Sequence, residues 1–246
     1  MRFLIGLDDT DNPKTSSTGL LAQRMSLLLQ DTGLGTLESI TRHQLLLSPQ
    51  VACTTRNSAI CVTFEAEPAK RSELEMTCRS FILHEHSAGA DAGIALAAWG
   101  QITAEVFTWA RLAKTRVLTR QEALDIARNS KIAITGLTGK GNGVIGALAA
   151  IGLRYRGDDG RFIWIHNINQ MSGIYSYAKL MEISSINRIE TVRGRTPRPE
   201  DKIQLNQWVR PILRQGLCVL LVEEERGNPN FDWHLLDMDQ VRKLSD

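Results

Sequence analysis

Three aspartates stand within four positions, at Asp8, Asp9 and Asp11, directly after the apolar run Leu4–Leu7. A run that short and that apolar predicts a buried strand, so the carboxylates collect at a strand end. Ionised carboxylates there need a cation or hydrogen-bond donors. Mg²⁺ takes one or two carboxylates and completes its shell with phosphate oxygens and water, which makes Asp8, Asp9 and Asp11 candidate metal ligands. Asp8 and Asp11 are expected to face one ion, with Asp9 on the other side of an extended chain. The alternative is an Asx-type turn at Asp8 with the other two acids solvated. Lys14-Thr15-Ser16-Ser17-Thr18 follows and sets hydroxyls and backbone N–H groups just before a helical pattern, where an anion is favoured. Ser17 or Thr18 can equally serve as a plain N-cap.

A second stretch, Gly139-Lys140-Gly141-Asn142-Gly143, runs into an Ala-rich segment. It is not a Walker A loop, because Gly141 follows Lys140 where Ser or Thr belongs. Gly141-x-Gly143-x-x-Gly146 matches the dinucleotide fingerprint, but that motif also needs an acid ending the next strand. Asp158 and Asp159 precede that strand, and Arg161–Ile165 runs on into His166-Asn167. Two readings remain here: phosphate at a helix N-terminus with Lys140 as a point charge, and close helix packing through small residues. In Thr54-Thr55-Arg56-Asn57, Arg56 could grip a phosphate bidentately or simply be a surface residue. Residues 188–214 carry Arg188, Arg193, Arg195, Arg198, Lys202, Arg210 and Arg214 with Trp208 among them. That is either a nucleic-acid or polyphosphate surface or a solvated loop. His84 and His86 with Asp91 would make a metal site only on an extended segment, and they are read as surface residues.

The elements that must position these residues follow from period and punctuation. Leu4–Leu7, Ser58–Glu65, Ile132–Thr135, Arg161–Ile165 and Gly216–Glu223 predict strands. Thr18–Gln30, Ser72–His84, Ile102–Lys114 and the segment after Gly143 predict helices. Thr119-Arg120-Gln121-Glu122 predicts a capping box for a short helix to Asn129. Arg193–Lys202 reads as an exposed loop, and the polar C-terminal tail is expected to fray. The class is α/β (α+β) with a mixed sheet. The domain break is expected before the glycine loop, near residue 133.

The bulk composition excludes several classes. Hydrophobic residues make up 43% of the 246, charged residues 23%, and the net charge is +2. Such a chain is neither a general polyanion binder nor an acidic tail. Cys53, Cys61, Cys78 and Cys218 form no CxxC pair, which argues against a zinc ribbon and against a disulfide framework. The start is not a signal peptide, and no apolar run approaches a membrane span. A cytoplasmic protein without membrane contact is expected.

In order along the chain, these stretches resemble the archaeal tRNA agmatinylcytidine synthetase, which joins agmatine to a cytidine of an isoleucine tRNA. Ile5-Gly-Leu-Asp-Asp-Thr-Asp11 resembles its DDTD motif, and Thr18 the first member of its threonine pair. Thr54-Thr-Arg-Asn-Ser58 resembles its Lys-Thr-Arg-Gly-Asn stretch, and Gly143-Val-Ile-Gly-Ala-Leu-Ala-Ala-Ile-Gly152 its IGALAAIG stretch. Gly19 stands where the family has the second threonine, and Thr54 where it has a lysine. The chain ends where the family would continue into an OB-fold and a zinc ribbon. The resemblance implies a kinase-like ATP-binding domain, here residues 1–133, followed by a ferredoxin-like domain, here 134–246.

It further implies that ATP and Mg²⁺ bind at the aspartates, and that ATP phosphorylates the enzyme's own threonine and activates a cytidine. The catalytic set carried over is Asp8, Asp9, Asp11 and Thr18, with the three aspartates as metal ligands. Thr10, Ser17, Arg56, Asn57, Lys140, Gly141 and Gly143 would hold the nucleotide. The leading expectation is an ATP- and Mg²⁺-dependent ligase or kinase-like transferase acting on an RNA or small-molecule acceptor. The alternatives are a non-catalytic nucleotide- or RNA-binding module and a nicotinamide-dependent enzyme.

Overall fold

The computed structural model describes residues 1–12, 17–51, 57–168 and 170–246. The chain is mixed α and β and divides into two compact units, Met1–Arg156 and Gly157–Asp246.

The first unit runs β1 (Arg2–Asp8), α1 (Thr18–Asp31), β2 (Thr36–Gln44), β3 (Ser58–Glu65), α2 (Arg71–Glu85) and β4 (Gly93–Ala98). It continues with α3 (Ala104–Leu112), α4 (Arg120–Asn129), β5 (Ala133–Gly136) and α5 (Val144–Arg156). Its strands are hydrogen-bonded in the order β5-β4-β1-β3-β2, every pair antiparallel. The run β1-α1-β2-β3-α2-β4 with order β4-β1-β3-β2 is a split β-α-β, ferredoxin-like arrangement. It lies in residues 2–98, not in 134–246 as expected.

Alternation along the strands serves two faces. Leu4, Cys61, Ala95 and Ala97 join one core cluster with α3, α4 and α5. Phe3, Ile5 and Leu7 are fully buried on the other face. α5 belongs to the first unit because its residues from Ala147 to Leu153 are almost wholly enclosed against that sheet. β5 pairs with β4. The boundary therefore falls at Gly157 and not near residue 133. Small residues let α5 come close: a Cβ on Gly6 of β1 would lie 1.9 Å from the carbonyl oxygen of Ala147.

The second unit contains β6 (Arg161–Ile165), β7 (Gly173–Ser176), α6 (Tyr177–Ile183), β8 (Arg188–Glu190) and β9 (Lys202–Leu205). β10 (Ile212–Arg214), β11 (Leu217–Glu224), β12 (Trp233–Leu235) and α7 (Met238–Ser245) complete it. The strand order is β6-β10-β11-β12-β9-β7, with β8 parallel to β11. Ile189, Ile203, Val222 and Trp233 anchor its core. The tail expected to fray is α7. Asp237 accepts from the N–H of Gln240 and Gln240 returns the bond, each at 2.8 Å, a capping box. Arg161, 5% exposed, pairs with Asp246. Residues 193–200 are the exposed loop expected, and much of the basic stretch is paired: Arg188 and Arg214 both meet Glu190, at 3.5 and 3.2 Å, and Arg195 meets Glu224 at 3.1 Å. The Arg195 guanidinium also covers Trp233, and that of Arg210 covers Trp208.

Among the described residues no helix is long and apolar enough to cross a membrane. Cys61, Cys78 and Cys218 are buried free thiols, and burial pushes the first two up to about 12. The close seam of β1 and α5 yields a measurable consequence. Gly6→Ala should lower stability by about 1–3 kcal/mol through overpacking. Gly100→Ala, whose Cβ meets nothing within 4 Å, should stay within about 0.5 kcal/mol of wild type in the same denaturant titration.

Candidate active site

β1 delivers Asp8 to the start of α5. A Cβ on Gly146 would come 1.9 Å from Asp8 Oδ2, so only a glycine leaves the carboxyl its place. At Asp9 the chain turns: its φ of 50° is left-handed, a conformation that Asp tolerates better than bulkier residues. The extended geometry expected for Asp8 to Asp11 is therefore broken at the second aspartate. Thr10, 1% exposed, points its hydroxyl inward and donates to Thr18 Oγ1 at 3.1 Å. Its carbonyl accepts from the N–H of Ser87. Asp11 Oδ2 accepts from the Thr18 N–H at 3.2 Å, and the Ser17 hydroxyl, as N-cap, accepts from Leu20. The start of α1 thus holds one carboxylate of the three.

The electrostatics are strained. Burial raises the Asp8 carboxyl well above its ordinary range, and the charges of Asp9 and Asp11 add to this, while the Asp9 N–H opposes it. Asp9 is also raised, first by burial and then by the like charges of Asp91 and Asp11, against the N–H of Asp91. Among the described residues no Lys, Arg or His forms an ion pair with Asp8, Asp9, Asp11 or Asp91. Among the same residues no three His, Cys, Asp or Glu side chains form a ready metal cage.

The glycine loop lies beside this turn. Gly141 N–H and Asn142 Nδ2 both donate to the Asp91 carboxylate, the latter at 2.9 Å. Gly143 N–H donates to the Asp91 carbonyl at 3.0 Å. Lys140 is exposed at the loop tip. Arg120, at the start of α4, stands over Gly141, with its Nε 3.2 Å from where a Cβ would be. Sequence reading missed Arg120, because one surface arginine in a capping box carries no signal of its own. It grouped Asp91 with His84 and His86. Instead His86 Nδ1 bonds the carbonyl of Leu83, and Asp91 turns to the glycine loop. Asn57 Nδ2 donates to the Leu46 carbonyl at 2.8 Å, bracing the β2–β3 connection. Arg56, Thr54, Thr55 and the Lys14–Ser16 stretch lie outside the described residues.

The nicotinamide reading fails on geometry. Among the described residues the strands of the first unit pair with one another only antiparallel, so the glycine loop is not the first turn of a parallel β-α-β unit, and β6 ends at Ile165 without an acid.

The α+β fold is shared with enzymes of known structure. No protein-family model matches the chain. An uncharacterised protein of Methanocaldococcus jannaschii is 30% identical over 153 residues, which is 62% of this chain and 50% of that protein. TiaS in complex with its isoleucine tRNA and ATP is similar with a TM-score of 0.54 and 26% identity, over 62% of this chain and 36% of that one. Apo TiaS, described as a tRNA agmatidine synthetase, is similar with a TM-score of 0.52 and 25% identity, over 62% and 35%. The chain resembles the N-terminal part of that synthetase. It spans about half the length of the curated relative and about a third of the solved chains.

A raised carboxyl binds its proton more tightly in the folded state, so ionising it costs stability as pH climbs above the ordinary carboxylate value of ~3.9. Asp8→Asn should therefore raise the thermal midpoint at pH 7. The gain should shrink as pH falls toward that value, which paired melting curves across pH will read.

Proposed function

We propose that the chain is an ATP- and Mg²⁺-dependent enzyme of phosphoryl or nucleotidyl transfer type. One observation carries this: like-charged carboxylates are packed at the end of β1 beside a glycine loop, with no ion pair among the described residues to neutralise them. Such an arrangement costs free energy in the free protein and gains it when a divalent cation arrives. The donors fit Mg²⁺, a hard ion that prefers carboxylate oxygens and needs only one or two when phosphates supply the rest. Asp8 and Asp9 would hold it, with Asp11 behind them. When bound, the ion would screen charge building on the transferring phosphoryl group.

The chain's own residues have complementary tasks. Lys140 and Arg120 flank the glycine loop as cations for the phosphates, Arg120 with a planar fork suited to two oxygens. Thr10 orients the Thr18 hydroxyl, and Ser17 caps the helix on which Thr18 sits. Thr18 is the hydroxyl closest in role to the threonine that the resembled family phosphorylates. The likeness to solved TiaS, described in complexes with an isoleucine tRNA and ATP and with that tRNA, AMPCPP and agmatine, supports ATP use and an RNA or small-molecule acceptor. The kinase-like role falls to the first unit, which contains all of these residues.

Isothermal titration with a non-hydrolysable ATP analogue and Mg²⁺ tests the reading. Wild type should bind, and the Asp8→Ala/Asp9→Ala double variant should bind on the order of tenfold or more weakly. Equal affinity of the two proteins would overturn it. Binding without any turnover on RNA or amine acceptors would favour a non-catalytic nucleotide-binding module, the reading that Gly19 in place of a second hydroxyl also suits.

A further inference from the structure

Asp91 stands where three segments meet, and each of its groups is engaged. Its N–H lies beside the Asp9 carboxyl and offsets part of that group's upward shift. Its carbonyl accepts from Gly143, and its carboxylate accepts from Gly141 and from the side chain of Asn142. Neighbouring bonds close the same seam. The Thr138 hydroxyl donates to the Ala90 carbonyl at 2.7 Å and accepts from the Ala92 N–H at 2.8 Å, and Leu137 N–H donates to Ala92. On the far side, Ser87 N–H meets Thr10 and Asn12 Nδ2 meets the Ala88 carbonyl.

The glycine loop therefore does not present free N–H groups at Gly141 and Gly143. Gly141 N–H is shared between the Asp91 carboxylate and the Thr138 carbonyl, the latter at 3.0 Å, and Gly143 N–H points at the Asp91 carbonyl. The glycines are needed for space: a Cβ on Gly139 would lie 2.8 Å from Asp91 Oδ1, and one on Gly143 would lie 2.5 Å from the Asp91 carbonyl oxygen. This changes what the loop can do. A loop whose donors are spent on an internal carboxylate is a latched support and not a phosphate cradle, which leaves Lys140 and Arg120 as its ligand-facing groups.

We propose that Asp91 is a positioning residue whose carboxylate latches the glycine loop onto the acidic turn and thereby fixes Asp9 and the start of α5. Its effect on catalysis rests on the reading of the aspartates as the Mg²⁺ and ATP site. The latch itself does not.

Two measurements separate the two claims. In ligand-free protein, Asp91→Ala should lower hydrogen-exchange protection at the Gly141 amide, leaving it only its bond to the Thr138 carbonyl, while β1 and β3 stay protected. Asp91→Asn, which keeps one acceptor, should retain more of it. Unchanged protection at Gly141 in Asp91→Ala overturns the latch, whatever nucleotide does. With Mg²⁺ and the ATP analogue, Asp91→Ala should weaken binding on the order of tenfold through loss of the support that orders the ligating turn, although it also removes a like charge beside Asp9. Asp91→Asn should recover most of that affinity. The Asp9→Ala/Asp91→Ala double variant should be no weaker than Asp9→Ala alone, because Asp91 acts through Asp9. A full Asp91→Ala penalty in the Asp9→Ala background overturns the positioning role. Wild type that fails to bind the analogue, with Gly141 exchange as expected, sinks the nucleotide reading and leaves the latch standing.

Discussion

The first unit depends on how closely the backbone of α5 approaches the backbones of β1 and β4. A side chain on Gly6 would strike Ala147, one on Gly93 would strike Gly143, and one on Gly146 would strike Asp8. Large residues at these positions would push the helix off the sheet and pull the glycine loop away from the acidic turn with it. Close packing of this kind is unforgiving, because interiors have no slack to absorb a methyl group. The same seam that closes the core therefore places the candidate site: Asp8 ends a strand whose neighbouring helix begins beside it.

That placement has an electrostatic cost. Asp8 and Asp9 are half-buried and face like charge, so the fold holds them against their preference for water. Part of the cost is offset by backbone N–H groups, from Asp9 to Asp8 and from Asp91 to Asp9. Asp11 differs, since its carboxylate serves the N–H of Thr18 at the start of α1, where negative charge is favoured. Three neighbouring letters in the sequence thus have different physical situations. Composition cannot separate them, because the separation is made by one left-handed residue, Asp9, and by helices that arrive from later in the chain.

The sequence was most legible where local chemistry alone decides. The Thr119–Glu122 capping box, the Ser17 cap and the β-branched strand Ser58–Glu65 are all present. It was least legible where pairing partners decide. Thr36–Gln44 is too polar to stand out as a strand, yet it forms eight residue pairs with β3. The short strands β7, β8, β9, β10 and β12 have too few residues to show a period. The polar tail forms α7 because Leu236 and Val241 have a core to enter, with Ile212, Val219 and Leu221. The domain boundary moved from residue 133 to Gly157 for the same reason. A glycine-rich stretch looks like a linker in one dimension, and here its glycines pack against Asp91 inside the first unit. The aspartates and the glycine loop were visible as separate candidates, while Asp91, the residue that joins them, was visible only as an acid near two histidines.

The distribution of cations bears on what such a site can hold. In the second unit, where arginines are densest in the sequence, Arg188 and Arg214 are matched to Glu190 and Arg195 to Glu224, and Arg195 and Arg210 also lie over tryptophans. Charge matched internally contributes little to gripping a polyanion. At the glycine loop, by contrast, Arg120 and Lys140 make no ion pair among the described residues, although they stand beside a turn crowded with carboxylates. A site for a bare anion would not keep aspartates so close, and a site for a bare cation would not need the arginine. Unmatched acids and unmatched cations side by side suit a ligand that carries both signs, and a divalent ion on a polyphosphate is the simplest such ligand.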